Sequence, residues 1–106
     1  MADSAPELIV ITGMSGAGRT EAMRSFEDMG YFCIDNLPPS LLKSLVTSDS
    51  IPVDEEGNRK ITVVCDARNL HYLRELMREL TRLKEEGVRY SIVFLDASDS
   101  VILGRY

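Results

Sequence analysis

The feature that most constrains this chain is an eight-residue segment, Gly13-Met14-Ser15-Gly16-Ala17-Gly18-Arg19-Thr20. The apolar run Leu8-Ile9-Val10-Ile11 precedes it and a helical stretch from Thr20 to Met29 follows. It fits the pattern G-x-x-x-x-G-K-[ST] at every fixed position but one, where Arg19 replaces lysine. A buried strand, a glycine-rich turn and a helix start together aim backbone N–H groups and the positive end of a helix dipole at an anion. The glycines reach positive φ and let the backbone come close to phosphate. Gly13, Met14, Ser15, Gly16, Ala17, Gly18, Arg19 and Thr20 are therefore the expected phosphate cradle; a turn without a ligand is the plainer alternative. Arg19 keeps the positive charge and can grip phosphate bidentately, but it lacks the compact ammonium of lysine. Phosphate binding is expected, and fast phosphoryl transfer is not.

Strand-like and helix-like segments alternate along the remaining chain. Strands are expected at 8–13, 31–34, 61–65 and 91–95, with helices at 19–29, from Pro39 to about Val46, and along an apolar face of Leu70, Leu73, Met77, Leu80 and Leu83. Gly30 and Gly87 stand where C-terminal caps belong. The stretch from Thr47 to Lys60 is polar and reads as a surface segment. Ser98 or Asp99 is expected to cap a last helix through Val101, Ile102 and Leu103. This alternation predicts an α/β fold, a P-loop NTPase-type parallel sheet with helices on both faces, incomplete at four strands. One domain covers 1–106. A last helix cut short at Tyr106 reads as the N-terminal part of a longer architecture.

Charge narrows the partners. Twelve basic and 17 acidic residues give a net charge of −5, the wrong sign for a surface that binds nucleic acid throughout. Arg74, Arg78 and Arg82 form the one basic concentration, flanked by Glu75 and Glu79, and read as a solvated helix face. No apolar run approaches the ~20 residues of a membrane span. The N-terminus is short and acidic, unlike a signal peptide, so a cytoplasmic protein without a membrane partner is expected. Cys33 and Cys65 read as reduced core thiols, although neighbouring strands would leave a disulfide open.

In parallel α/β sheets ligands lie beyond the carboxyl ends of the strands. Asp35, Asp66 and Asp96 all fall at such ends, as does the glycine segment. Asp66, after four apolar or β-branched residues, is the expected partner of Thr20 in holding Mg²⁺, which needs few protein oxygens because it keeps several waters. Asp96 has the same local pattern and competes for the role, and Asp66 could instead cap the following helix. Asp35 could bind a second substrate or turn back on its own backbone. Arg68 and Asn69 could reach a phosphate or a base, or be solvated. His71 reads as surface. No catalytic residue is assigned.

Four segments in order carry a family resemblance: the glycine segment, Gly-Tyr-Phe-Cys-Ile-Asp-Asn-Leu-Pro-Pro at 30–39, Asp66-Ala67-Arg68-Asn69, and Phe94-Leu95-Asp96-Ala97-Ser98. Together they resemble the RapZ RNase adapter family, the RapZ-like or YvcJ-type P-loop nucleotide-binding proteins, over nearly all of residues 8–106. The resemblance implies binding of ATP and GTP with weak hydrolysis. It places ATP at Gly13 to Thr20 and GTP at Asp66, Ala67, Arg68 and Asn69. Some relatives bind RNA, a role associated with a C-terminal domain, so RNA binding is not expected of these residues. A strand-end aspartate belongs beside phosphate and metal, which suggests that the two assigned sites are parts of one pocket. Two other readings stay open: a small-molecule or nucleotide kinase, and a binding-only module with a degenerate loop.

Overall fold

The computed structural model describes residues 7–13, 16–48, 50–53, 57, 59–65, 70–95 and 101–105, with 16–17 and 101–105 given as backbone alone. β1 (Glu7–Gly13) leads to α1 (Gly16–Asp28) and the short β2 (Phe32–Ile34). A 3₁₀ turn at Pro39–Leu41 runs into α2 (Leu42–Val46), followed by β3 (Lys60–Val64), α3 (Leu70–Glu85), β4 (Arg89–Leu95) and β5 (Val101–Arg105). The strands lie in the order β2-β3-β1-β4-β5. The first four are mutually parallel, and β5 joins β4 antiparallel.

β1 is the central strand because its side chains are apolar on both faces. Leu8 and Val10 face one side, with Ile61 and Val63 of β3, where α2 and α3 pack through Leu42, Val46, Leu76, Leu80 and Leu83. Ile9 and Ile11 face the other, with Val64, Val93 and Leu95, where α1 packs through Ala22, Met23 and Phe26. Helices thus cover both faces of the sheet, as the alternation predicts.

The glycine caps form as expected. Gly30 has φ 93° and Gly87 φ 92°. In each case the glycine N–H and that of the following residue donate back into the last turn: Gly30 to Glu27 and Tyr31 to Phe26, then Gly87 to Lys84 and Val88 to Leu83. This double bond satisfies carbonyls that the helix end leaves open. At the first cap the Phe26 and Tyr31 rings also meet edge to face, 5.2 Å apart.

Four details depart from the expectations. α1 begins at Gly16, not at residue 19. Glycine disfavours helix by ~1 kcal/mol, but a first turn needs no intrahelical partner for its N–H groups, and the packing of Ala22, Met23 and Phe26 anchors the helix. The expected last helix through Val101, Ile102 and Leu103 is strand β5, because Leu95 to Ser91 of β4 offer it an edge to pair with. On α3 the buried residues are Leu76, Leu80 and Leu83, whereas Leu70 and Met77 are 60% and 44% exposed. Within the polar 47–60 segment, Ile51 is buried in the core beneath α2 and α3.

Candidate functional site

The end of β1 sets the geometry of the glycine segment. Gly13 has φ 126°, a conformation open essentially to glycine alone, and lies opposite Leu95 in the β1–β4 register. A Cβ on Gly13 would stand 1.9 Å from the Leu95 carbonyl oxygen and 2.7 Å from its nitrogen. The motif's first glycine is thus demanded by the neighbouring strand, before any phosphate is considered. On the other side, the Cys65 N–H donates to the Ile11 carbonyl at 2.9 Å, so β3 delivers the chain to the end of β1. Strand ends and helix start therefore meet at one edge of the sheet.

α1 starts there. A helix beginning at Gly16 points the N–H groups of its first turn and its positive dipole end into the space beyond β1. Gly18, Arg19 and Thr20 lie within its opening turns, with Arg19 half-buried and Thr20 exposed. Met14 and Ser15 lie outside the described residues, as do Asp66, Ala67, Arg68, Asn69 and Asp96. The carboxylates expected to share a metal with Thr20 are therefore not located by the structure. Asp35 is exposed just beyond β2.

Thr12, one residue before Gly13, is a further polar group at this edge. It is 2% exposed, and its hydroxyl has no hydrogen-bond partner among the described residues. In the alternation of β1 it shares the face of Leu8 and Val10, away from α1.

The two cysteines are free thiols. β2 and β3 are neighbours, but Cys33 stands opposite Thr62, three residues short of Cys65. Burial pushes the Cys65 thiol up to about 12. Burial also raises Cys33; Thr62 beside it pulls the other way, and Glu27 adds to the rise. Cys33 Sγ donates weakly to the Met23 and Tyr31 carbonyls, both at 3.6 Å. Neither thiol is built as a nucleophile. The basic face of α3 is solvated as expected, with Arg82 paired to Glu79 at 3.6 Å.

A second feature of the same edge escaped the sequence. Asn36, Leu37, Pro38 and Pro39 after β2 and Tyr72 of α3 line an open cleft of about 160 Å³. The signal present in sequence was the Asn-Leu-Pro-Pro run, but nothing there ties it to Tyr72.

A glycine segment between a central parallel strand and a helix, at the carboxyl edge of a sheet covered on both faces, defines a phosphate-loop type of α/β domain. The chain belongs to the RapZ-like family: residues 6–106 match the RapZ-like N-terminal domain. A nucleotide-binding protein of Clostridium botulinum is 45% identical over 98 residues, 92% of this chain and 33% of the relative. A nucleotide-binding protein of Desulfitobacterium hafniense is 46% identical over 100 residues, 93% of this chain and 33% of the relative. The chain thus spans about a third of the length of these curated relatives. No solved structure matches it.

Proposed function

We propose that this chain binds a purine nucleoside triphosphate, ATP or GTP, with its phosphates at the β1–α1 junction. The observation that carries the reading is that junction: a glycine segment held by β4 on one side and opening onto a helix start on the other. Relatives named as nucleotide-binding proteins over nearly the whole of this sequence support it.

Thr20 and Asp66 would hold Mg²⁺, whose preference for hard oxygen ligands suits a hydroxyl and a carboxylate. Thr20, exposed in the opening turns of α1, fits that donor set. The ion would neutralise phosphate charge. Arg19 supplies a second, fixed positive charge from the helix start. Hydrolysis is slow, because Arg19 replaces the mobile ammonium and no general base is assigned beside the loop. The role is regulatory rather than metabolic.

Calorimetric titration with ATP and GTP, with Mg²⁺ and in chelator, tests this. Gly18→Val should abolish binding in a folded protein, and Asp66→Asn should weaken binding in Mg²⁺ far more than in chelator. Unchanged affinity in folded Gly18→Val refutes the phosphate site. Equal losses in the two conditions refute the metal role of Asp66. Turnover above about one per second, the low end for kinases, refutes slow hydrolysis.

A further inference from the structure

β1 carries one polar side chain between its first residue and the glycine segment. Leu8, Ile9, Val10 and Ile11 are at most 5% exposed, and Thr12 follows at 2%. A valine has the same shape and would bury there with no hydroxyl to satisfy. A buried hydroxyl without a partner destabilises the fold that contains it, whereas the matching apolar group does not. The hydroxyl of Thr12 has no partner among the described residues. It is a cost that the folding of the free chain does not explain.

The strand cannot turn this hydroxyl to solvent. Gly13, next in the chain, is packed so closely on β4 that a Cβ would stand 1.9 Å from the Leu95 carbonyl oxygen. Thr12 itself lies opposite Phe94 in the same register. Its partner must therefore come to it. On the other side of β1, the bond from Cys65 N–H to the Ile11 carbonyl, at 2.9 Å, is the last rung to β3 among the described residues. Thr12 stands one residue beyond that acceptor, where β3 leaves the sheet, and on the face of Leu8 and Val10. The hydroxyl is thus placed to secure the end of β3 and is turned away from the helix start. Thr62, the other buried hydroxyl among the described residues, makes the contrast. It lies in the middle of β3, between Ile9 of β1 and Cys33 of β2, and has no strand end to hold.

We propose that Thr12 is a positioning residue for the nucleotide-bound state. Its hydroxyl gains a hydrogen-bond partner when the β1–α1 junction is loaded, and this fixes the end of β3 against the glycine segment. In the free chain the hydroxyl is held unpaired, a stability cost retained for binding. The inference rests on the nucleotide reading given above.

Stability and affinity move in opposite directions under this proposal, and that opposition is the test. In thermal unfolding without nucleotide, Thr12→Val should melt at or above the wild-type midpoint. In calorimetric titration with ATP and GTP in Mg²⁺, the same variant should bind roughly two- to ten-fold more weakly, the range for one hydrogen bond. Thr12→Ser keeps the hydroxyl and should bind as the wild type does. Thr62→Val should leave affinity unchanged. Hydrogen exchange reads the strand end itself: nucleotide should raise the protection of the Cys65 amide in the wild type and in Thr12→Ser, and not in Thr12→Val. A Thr12→Val midpoint well below the wild type would show a hydroxyl already paired in the free chain and would overturn the proposal. Equal losses of affinity in Thr12→Ser and Thr12→Val would overturn it as well. A wild-type chain that binds neither nucleotide refutes the phosphate site and this proposal together, whereas wild-type binding matched in full by Thr12→Val refutes this proposal alone.

Discussion

Replacing Gly13 by alanine separates the structural demand on this residue from its place in the motif. The added methyl would meet the Leu95 carbonyl oxygen at 1.9 Å and its nitrogen at 2.7 Å, both backbone atoms that no rotamer change can move. β4 must shift, and overpacking of this kind costs about 1–3 kcal/mol. The φ of 126° adds about 1–3 kcal/mol of backbone strain for any residue with a Cβ. The loss is then about 2–6 kcal/mol, a large part of the ~5–15 kcal/mol that holds a domain folded. Gly87→Ala is the control. Its φ of 92° carries similar strain, but its Cβ would meet nothing within 4 Å. In thermal unfolding without nucleotide, where about 1 kcal/mol shifts Tm by ~4–8 °C, Gly13→Ala should melt well below Gly87→Ala. Equal midpoints would refute the argument, because they would leave the β4 contact with no cost and make the first glycine of the motif a matter of ligand approach alone.

Cys65 predicts a specific alkaline loss of stability. Its thiol titrates at about 12 when folded, against 9.0 unfolded. The contribution is thus whole below pH 9 and is lost as pH rises towards 12, by on the order of 4 kcal/mol; urea unfolding of Cys65→Val should lack this share of the decline. Ile51→Ala should cost about 2–5 kcal/mol as a core truncation, while Leu70→Gln, on the exposed side of α3, should stay within ~0.5 kcal/mol, both read by urea midpoint. RNA binding by this chain at physiological salt should be no tighter than the roughly 10⁻⁴–10⁻⁶ M typical of non-specific contacts, given a net charge of −5; a gel shift in the nanomolar range would contradict this.

The parallel strands were legible because Leu8 to Ile11 and Ile61 to Val64 are continuous apolar or β-branched runs, which mark strands buried on both faces. The helix ends were legible because only glycine serves well at the two caps. Elsewhere local pattern was insufficient. Three apolar residues, Val101 to Leu103, carry no usable period, and the free edge of β4 decided for strand. On α3, Leu76 and Met77 are adjacent and equally apolar in sequence, so the choice between them belongs to the sheet beneath. Gly13 was legible as part of a phosphate motif, but its contact with Leu95 is a property of a register 82 positions long and invisible locally. The Asn36–Tyr72 cleft unites segments that no spacing rule connects.

The place of β1 in the sheet bears on how the chain is made. It precedes both of its neighbours in the chain, and the second lies far downstream: Glu7 pairs with Lys60 on one side and Arg89 on the other. At the ~5–20 residues per second of translation, the apolar run Leu8 to Ile11 waits roughly 4–16 s between its own emergence and that of β4. During that interval the strand can pair with β3 at most and its β4 side stays open, so slow translation of residues 65–95 prolongs the exposure of an unpaired apolar strand edge.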